Sequence, residues 1–331
     1  MADWEFTTAN ALTSQTWAKD WWIEGSTESY FYGHGFIGSS EVNNIIVEFK
    51  DLEQNPGYQH TFGQIRELSG AGVEGDAMME GNEEVPLTYD DAITIGLYRN
   101  AIRTKGILSE QYKSDQDTRK WSKELLKRWI AEHIDQTIFT GINDSCTKAL
   151  YGGDATSTAK IEAGDYFTLA LIGKTVAYGK KATPVIQGPL MGGKRYNGVV
   201  VISPDQAFDL TSRDAAWIQT RMDAELRGKS NPIFIDALGM HMNVPIHEHK
   251  RVPIATGAWG SGATLNGATA LFMGVGAGGI AYIKRKIWDE KTFDYKNKVG
   301  FCIGAGYGFT KAVFNAADNA VVALRTYRSN N

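Results

Sequence analysis

Cysteine is almost missing from this chain: Cys146 and Cys302 are the only two in 331 residues. Two distant thiols make no disulfide framework, so folding in a reducing cytoplasm is the expectation. No apolar run approaches the ~20 residues that a membrane-spanning helix needs, and no membrane partner is expected. Asp3 and Glu5 stand at the N-terminus without an apolar run behind them, which does not read as a secretory signal. A basic excess is missing too. The 34 Lys and Arg face 38 Asp and Glu, for a net charge of −4. That argues against a dedicated nucleic-acid binder, but not against a protein that lies beside DNA without gripping it.

Recognisable catalytic patterns are also scarce. Gly173-Lys174-Thr175 ends like a phosphate loop, but Thr168 stands where that pattern needs glycine. Gly188 to Lys194 fits the spacing, yet Arg195 follows where a hydroxyl is required for Mg²⁺. Gly274, Gly276, Gly278 and Gly279 make only a partial dinucleotide pattern. Gly304, Gly306 and Gly308 recur at every second residue, which fits close backbone approach on a strand better than catalysis. His241, His247 and His249 share one parity, so on a strand they could present a zinc-binding face. Satisfied or exposed histidines are the plainer reading. No catalytic residue, cofactor or metal site is assigned, and the chain reads as a non-enzyme. A metal-dependent enzyme built on the three histidines is the alternative.

What is present is charge segregation. From Glu67 to Asp91 there are eight acids and no Lys or Arg, with four glycines among them. Six of the acids, Glu67, Glu74, Asp76, Glu80, Glu83 and Glu84, lie where no periodic pattern holds. Leu87, Tyr89, Ile93, Ile95 and Leu97 then share one parity and predict a strand, with a weaker strand before Glu67. This is a long hairpin with an acidic tip that has little apolar surface to bury. From Arg99 to Arg128 nine bases face four acids. A solvated loop beside a solvated helix face is the plain reading. The sharper one lays the acidic arm on the basic face of a neighbouring copy, at Arg99, Arg103, Arg119, Lys120, Lys123 and Lys127. Complementary patches of this kind set register and partner choice more than raw affinity.

Four of the nine tryptophans fall in the first 22 residues. Leu12 to Ile23 could form a packed helix, or an arm whose Trp17, Trp21 and Trp22 anchor on another subunit. Ser114 and Asp117 suit a helix start. Trp121, Leu125, Leu126, Trp129, Ile130, Ile134 and Ile138 follow as one apolar stripe, with Gly141 ending it. Such a helix over 114–140 runs roughly 39 Å. Residues 165–249 read as a compact α/β unit. It holds a helix from Asp165 to Gly179, a buried VVVI strand at 199–202 and a helix opened by Ser203, Pro204 and Gln206. Two strands turning at Gly239 close it. FCIGAGYGF and AVVALRTY, at 301–309 and 320–327, read as strands.

The stretch from Phe36 to Thr140 resembles the phage N-4-type major capsid family of tailed bacteriophages. The resemblance is carried by Phe36-Ile37-Gly38, by Leu68 to Asp76, by Glu80-Gly81-Asn82-Glu83-Glu84 and by Arg99 and Arg103. Leu108 to Gln111 and the helix from Arg119 to Trp129 carry it further. Phe293-Asp294-Tyr295 and Gly306 to Phe314 form a second patch. The resemblance implies an α+β HK-97-type capsid fold. That means an N-terminal arm (1–57), an extended E-loop hairpin (58–103) and a P-domain with a spine helix (104–164, spine 114–140). An axial A-domain (165–249) and P-domain return strands (250–331) complete it. It implies self-assembly into hexamers and pentamers of an icosahedral phage head, with a portal protein as partner and scaffolding and decoration proteins as further candidates. Packaged double-stranded DNA would be contacted non-specifically. The subunit would assemble in the host bacterial cytoplasm and end in the virion. Some shells of this fold are cross-linked through Lys and Asn; residues 67–91 contain no Lys, so non-covalent holding is expected. A shell of the same fold enclosing protein is a further alternative.

Overall fold

Two strands of 16 and 14 residues, far beyond the ~5–6 typical of globular proteins, and one long helix organise the chain. The computed structural model describes residues 29–40, 42–54, 57–66, 68, 70–76, 78–106, 118–191, 194–219 and 238–329. In chain order, α1 (Tyr30–Gly33), β1 (Ile37–Gly38), β2 (Ile46–Phe49) and α2 (Asp51–Gln54) come first. They are followed by β3 (Gln59–Ile65), β4 (Thr88–Thr94), β5 (Gly96–Arg103) and the helix α3 (Thr118–Asn143). Then come β6 (Ala149–Tyr151), α4 (Leu169–Lys181), β7 (Leu190–Met191), β8 (Lys194–Arg195), β9 (Val199–Ile202) and α5 (Pro204–Arg213). The rest is strand: β10 (Gly239–His241), β11 (Val244–Glu248), β12 (Ile254–Trp259), β13 (Leu265–Met273) and β14 (Gly278–Phe293). After them come β15 (Lys298–Lys311), β16 (Val313–Phe314), β17 (Ala317–Asp318) and β18 (Val321–Tyr327).

These strands build two larger sheets. One has the order β1-β2-β14-β15-β5, the other β10-β11-β9-β13-β18-β6 with β12 on β13. Residues 250–331 therefore do not build one returning sheet. Strands β14 and β15 join the arm and β5, while β13 and β18 join β9 and β11 of the 165–249 unit. Pairing decided this, because alternation within a strand does not name its neighbour. Both faces of β9 are covered, which is why VVVI is a continuous apolar run. Val199 and Val201 pack on the side of α3, and Val200 and Ile202 pack against the α4 and α5 side. Helix α5 starts as its sequence requires. The Ser203 side chain accepts from Gln206 N at 3.2 Å, and the Gln206 side chain reaches back to Ser203 N at 3.1 Å. Helix α4 starts at Leu169, four residues later than expected. Its Leu169 N–H donates to the distant Asp214 carboxylate at 2.8 Å, a cap that sequence spacing cannot reveal.

Helix α3 lies on one face of the five-stranded sheet. Leu126, Ile130, Ile134 and Ile138 are almost wholly buried there, against Phe301, Ile303, Ala305 and Tyr307. The stripe read from the sequence is too wide, for Trp121 and Leu125 are 59% and 58% exposed. Gly141 does not end the helix, which runs to Asn143. A Cβ at Gly141 would stand 2.6 Å from the Phe309 ring, so the glycine allows close approach of helix and strand. The expected start at Ser114 and Asp117 lies outside the described residues.

Two further expectations shift. The predicted strand at 87–97 is two strands. Strand β4 pairs with β3, then Ile95 N–H bonds Tyr58 O at 3.0 Å and β5 crosses to β15. Inward parity switches with the break, leaving Leu97 57% exposed while Tyr98 packs on the core. The turn between β10 and β11 falls at Met242 and Asn243, with φ of +47° and +61°, not at Gly239. Gly239 is instead overlain by the Trp217 indole. Of the alternating glycines, Gly306 leaves room for Ile283 from β14, whose methyl would stand 2.6 Å from a Cβ there.

Candidate assembly interface

The acidic segment is carried on the β3–β4 ladder. Its register runs from Gln59 opposite Thr94 to Ile65 opposite Thr88, so residues 66–87 form the loop beyond it. Within that loop Glu74, Asp76, Glu80, Glu83 and Glu84 are exposed, while Glu67 lies outside the described residues. Two acids shape the loop itself. Glu84 accepts from Gly70 N at 2.6 Å and Glu83 accepts from Gly81 N at 2.7 Å. The loop is not purely polar. Met78 is 71% exposed, Met79 56% and Val85 78%. These apolar side chains were passed over in the sequence because the acids dominate the segment. Met78 and Met79, set between Asp76 and Glu80, and Val85 directly after Glu84 were the available signal.

The base of the ladder is tied down. The Asp91 carboxylate accepts from Val313 N at 3.1 Å, and Gln64 Nε2 donates to Asn319 Oδ1 at 3.3 Å. Phe62 meets Phe314 edge-on and stacks on Phe49. Asp91 is therefore a tie at the base of the ladder, not part of the outward charge.

The predicted basic face is divided by the fold. Arg119 is committed within the chain, pairing with Glu290 at 2.6 Å. Lys127 is buried and lies 3.8 Å from Glu124. Both are removed from an outward docking face, because a side chain held or covered by its own subunit offers little to a partner. Arg99 and Arg103 alternate on the exposed face of β5, Lys120 is exposed and Lys123 half-buried. Trp121 and Leu125 stand among them on α3, one helical turn apart. The arm anchors Trp17, Trp21 and Trp22 lie outside the described residues. The described end of the arm is fastened by Asp135 of α3. Its buried carboxylate accepts from Ser29 Oγ at 2.7 Å and from Tyr30 N at 2.8 Å. Burial raises the pKa of that carboxyl, with the hydrogen bonds opposing the shift.

The three candidate histidines are not gathered. His241 ends β10 opposite Val244, with Asp214 as its charged neighbour. His247 lies within β11 opposite Val201 and His249 just past its end, in an aromatic joint with Tyr30, His34, Phe36 and Phe139. Among the described residues no group of three or more His, Cys, Asp or Glu side chains is placed to hold a metal ion. His249 Nδ1 accepts from Arg251 N at 3.2 Å, which requires the unprotonated nitrogen. Burial, then Arg251, Lys250 and His34, lower its pKa from 6.5 to about 4. The folded chain thus keeps this imidazole neutral where the unfolded chain takes a proton. Stability falls as pH drops from about 6.5 toward 4 and loses nothing more from this group below that. Melting curves between pH 7 and pH 4 are expected to fall less steeply for His249→Phe than for the parent chain; equal slopes would refute the assignment.

A loop that exposes acids together with Met78, Met79 and Val85, and a helix that leaves Trp121 and Leu125 exposed, describe a subunit with surfaces to offer to copies of itself, and the fold is the HK-97-type capsid fold. The family model described as phage capsid protein matches residues 6–149 and 144–327. The chain belongs to the phage capsid protein family: it is a major capsid protein, a building unit of a phage shell. The major capsid protein of Pseudomonas phage KPP25 is 27% identical over 342 residues, covering 90% of this chain and 89% of the relative. The capsid of Ralstonia phage GP4 superposes with a TM-score of 0.78 at 28% identity, over 91% of this chain and 92% of that one. The capsid of cyanophage Pam1 shares the fold at 17% identity, with a TM-score of 0.77 over 100% of this chain and 95% of that one.

Proposed function

We propose that this subunit forms hexamers and pentamers of an icosahedral head around double-stranded DNA, and that it works by assembly and not by turnover. The observation that carries the reading is the projecting β3–β4 ladder, whose loop combines exposed acids with exposed Met78, Met79 and Val85. A loop that buries so little of its own apolar surface is stabilised when a neighbour covers it. In this reading the arm spans 1–57, the E-loop 58–103, the P-domain 104–164 and 250–331, and the axial domain 165–249. Strands β13 and β18 bind the axial unit to the rest. The E-loop overlies a neighbour near β5 and the first turns of α3. There Arg99, Arg103, Lys120 and Lys123 meet its acids, and Trp121 and Leu125 meet its apolar side chains.

Assembly takes place in the host cytoplasm, and a portal protein occupies one vertex. Scaffolding and decoration proteins are further candidates. The slightly negative chain contacts packaged DNA without gripping it, since few phosphates are neutralised. Electron microscopy of the chain expressed alone, and again with its neighbouring phage genes, tests this. Closed shells or capsomer rings are expected, and a stable monomer in both cases would overturn the reading.

A further inference from the structure

Tyr295 is wholly exposed at the tip of the β14–β15 hairpin. It sits in a run of three residues, Asp294, Tyr295 and Lys296, with φ of +55°, +49° and +68°. Left-handed φ is uncommon for side-chain-bearing residues and least tolerated by bulky ones. Of the other hairpin turns with a non-glycine residue at positive φ, Met242–Asn243 and Asn315–Ala316 each include Asn, which accepts this region readily, and the turn between β12 and β13 uses the small Ala263 next to Gly262. Tyr295 and Lys296 have no such tolerance.

The strain is held from behind. Asn297 N donates to Asp294 O at 2.9 Å, Lys298 pairs with the Asp294 carboxylate at 3.4 Å, and Thr104 N donates to Val299 O at 2.8 Å. The tip also lies far out, since 16 residues of β14 at ~3.3 Å each span on the order of 50 Å. A fold that keeps strain in order to present an aromatic ring to solvent at its far end points to a contact outside the subunit.

The surroundings state the chemistry of that contact. The Arg103 guanidinium lies 4.5 Å over the Phe293 ring, and the Lys291 ammonium lies 5.3 Å from the same ring. Lys105 and Lys296 are exposed beside them. The tip is thus basic and aromatic. The chain's own 74–84 loop is its chemical complement, with five acids, no base, and exposed Met78 and Met79 whose sulfurs suit an aromatic ring. Loop and tip lie at opposite ends of the β4–β5 run, from Thr88 to Arg103, an arrangement that suits contact between copies.

We propose that the Tyr295 tip is an anchor that receives the acidic loop of a second copy. The proposal rests on the reading that this loop docks on a neighbour, and it extends the receiving face from Arg103 to the hairpin tip. Assembly of purified subunits is followed by light scattering and by electron microscopy, with a thermal melt of each subunit. Tyr295→Ala is expected to melt like the parent, because the side chain covers nothing, yet to assemble about tenfold more slowly, as loss of an aromatic anchor implies. Tyr295→Phe is expected to keep most of the rate. Lys296→Glu is expected to slow assembly similarly, and Glu80→Lys added to the same chain to restore it. Parent-like assembly of Tyr295→Ala and Lys296→Glu overturns the anchor while leaving the loop-docking reading intact. Slow assembly of Lys296→Glu without rescue by Glu80→Lys overturns the acidic loop as the occupant. A parent chain that forms no shells or rings removes the docking reading itself.

Discussion

Subunits carrying Glu80→Lys together with Glu84→Lys are expected to fold and to fail at closing shells. Both side chains are exposed on the loop beyond β3 and β4. Glu80 covers no core, and among the contacts of Glu84 the 2.6 Å hydrogen bond from Gly70 N is an exposed one. Surface changes of this kind usually move subunit stability by no more than ~0.5 kcal/mol. Assembly is a different matter. The loop would present two bases to a face where Arg99, Arg103 and Lys120 already stand, and like charges brought together at an interface cost several kcal/mol. Shell closure repeats that cost at every copy. The measurement is a thermal melt of the isolated subunit beside electron microscopy of the assembly reaction. A parent-like melt with misshapen or missing particles is the expected pair of results. Normal particles would sink the charge-pairing idea, and the apolar residues of the loop would then be left to carry the docking.

A second contrast separates buried from exposed apolar positions along one helix. Ile134 and Leu125 belong to the same apolar stripe in the sequence, but Ile134 is 1% exposed and Leu125 58%. Ile134→Ala opens a cavity between α3 and β15 and is expected to cost ~2–5 kcal/mol, a large fraction of the ~5–15 kcal/mol that holds a typical subunit. Leu125→Ala leaves no cavity in the subunit. It should change the denaturation midpoint little and reduce assembly instead, most visibly when combined with Trp121→Ala. Equal loss of subunit stability from Ile134→Ala and Leu125→Ala would show that the exposed half of the stripe is covered within the chain.

How much of this was legible beforehand differs from element to element. The long helix was legible because 3.6-residue spacing is a local property of the backbone, and so was the Ser203–Gln206 capping box. The acidic hairpin was legible because charge excludes a segment from the core whatever surrounds it. The split of the stripe was not. A residue that will be buried inside a subunit and one that will be buried between subunits are chosen for the same apolar surface. The break at Ile95 was hidden for a related reason. Alternation runs on across it, while the change of partner from β3 to β15 depends on strands that lie more than 200 residues away.

By itself, then, the sequence determined the local elements, the segregation of charge and, through its motifs, the family. These depend on backbone geometry and on which groups water will hold. Only the tertiary structure decided which strands share a sheet and that Gly141 admits Phe309 instead of ending a helix. It alone decided that Arg119 and Lys127 are spoken for within the chain, and that His241 stands apart from His247 and His249. Each of those depends on what another part of the chain brings to within a few ångströms, and spacing along a sequence carries no record of that.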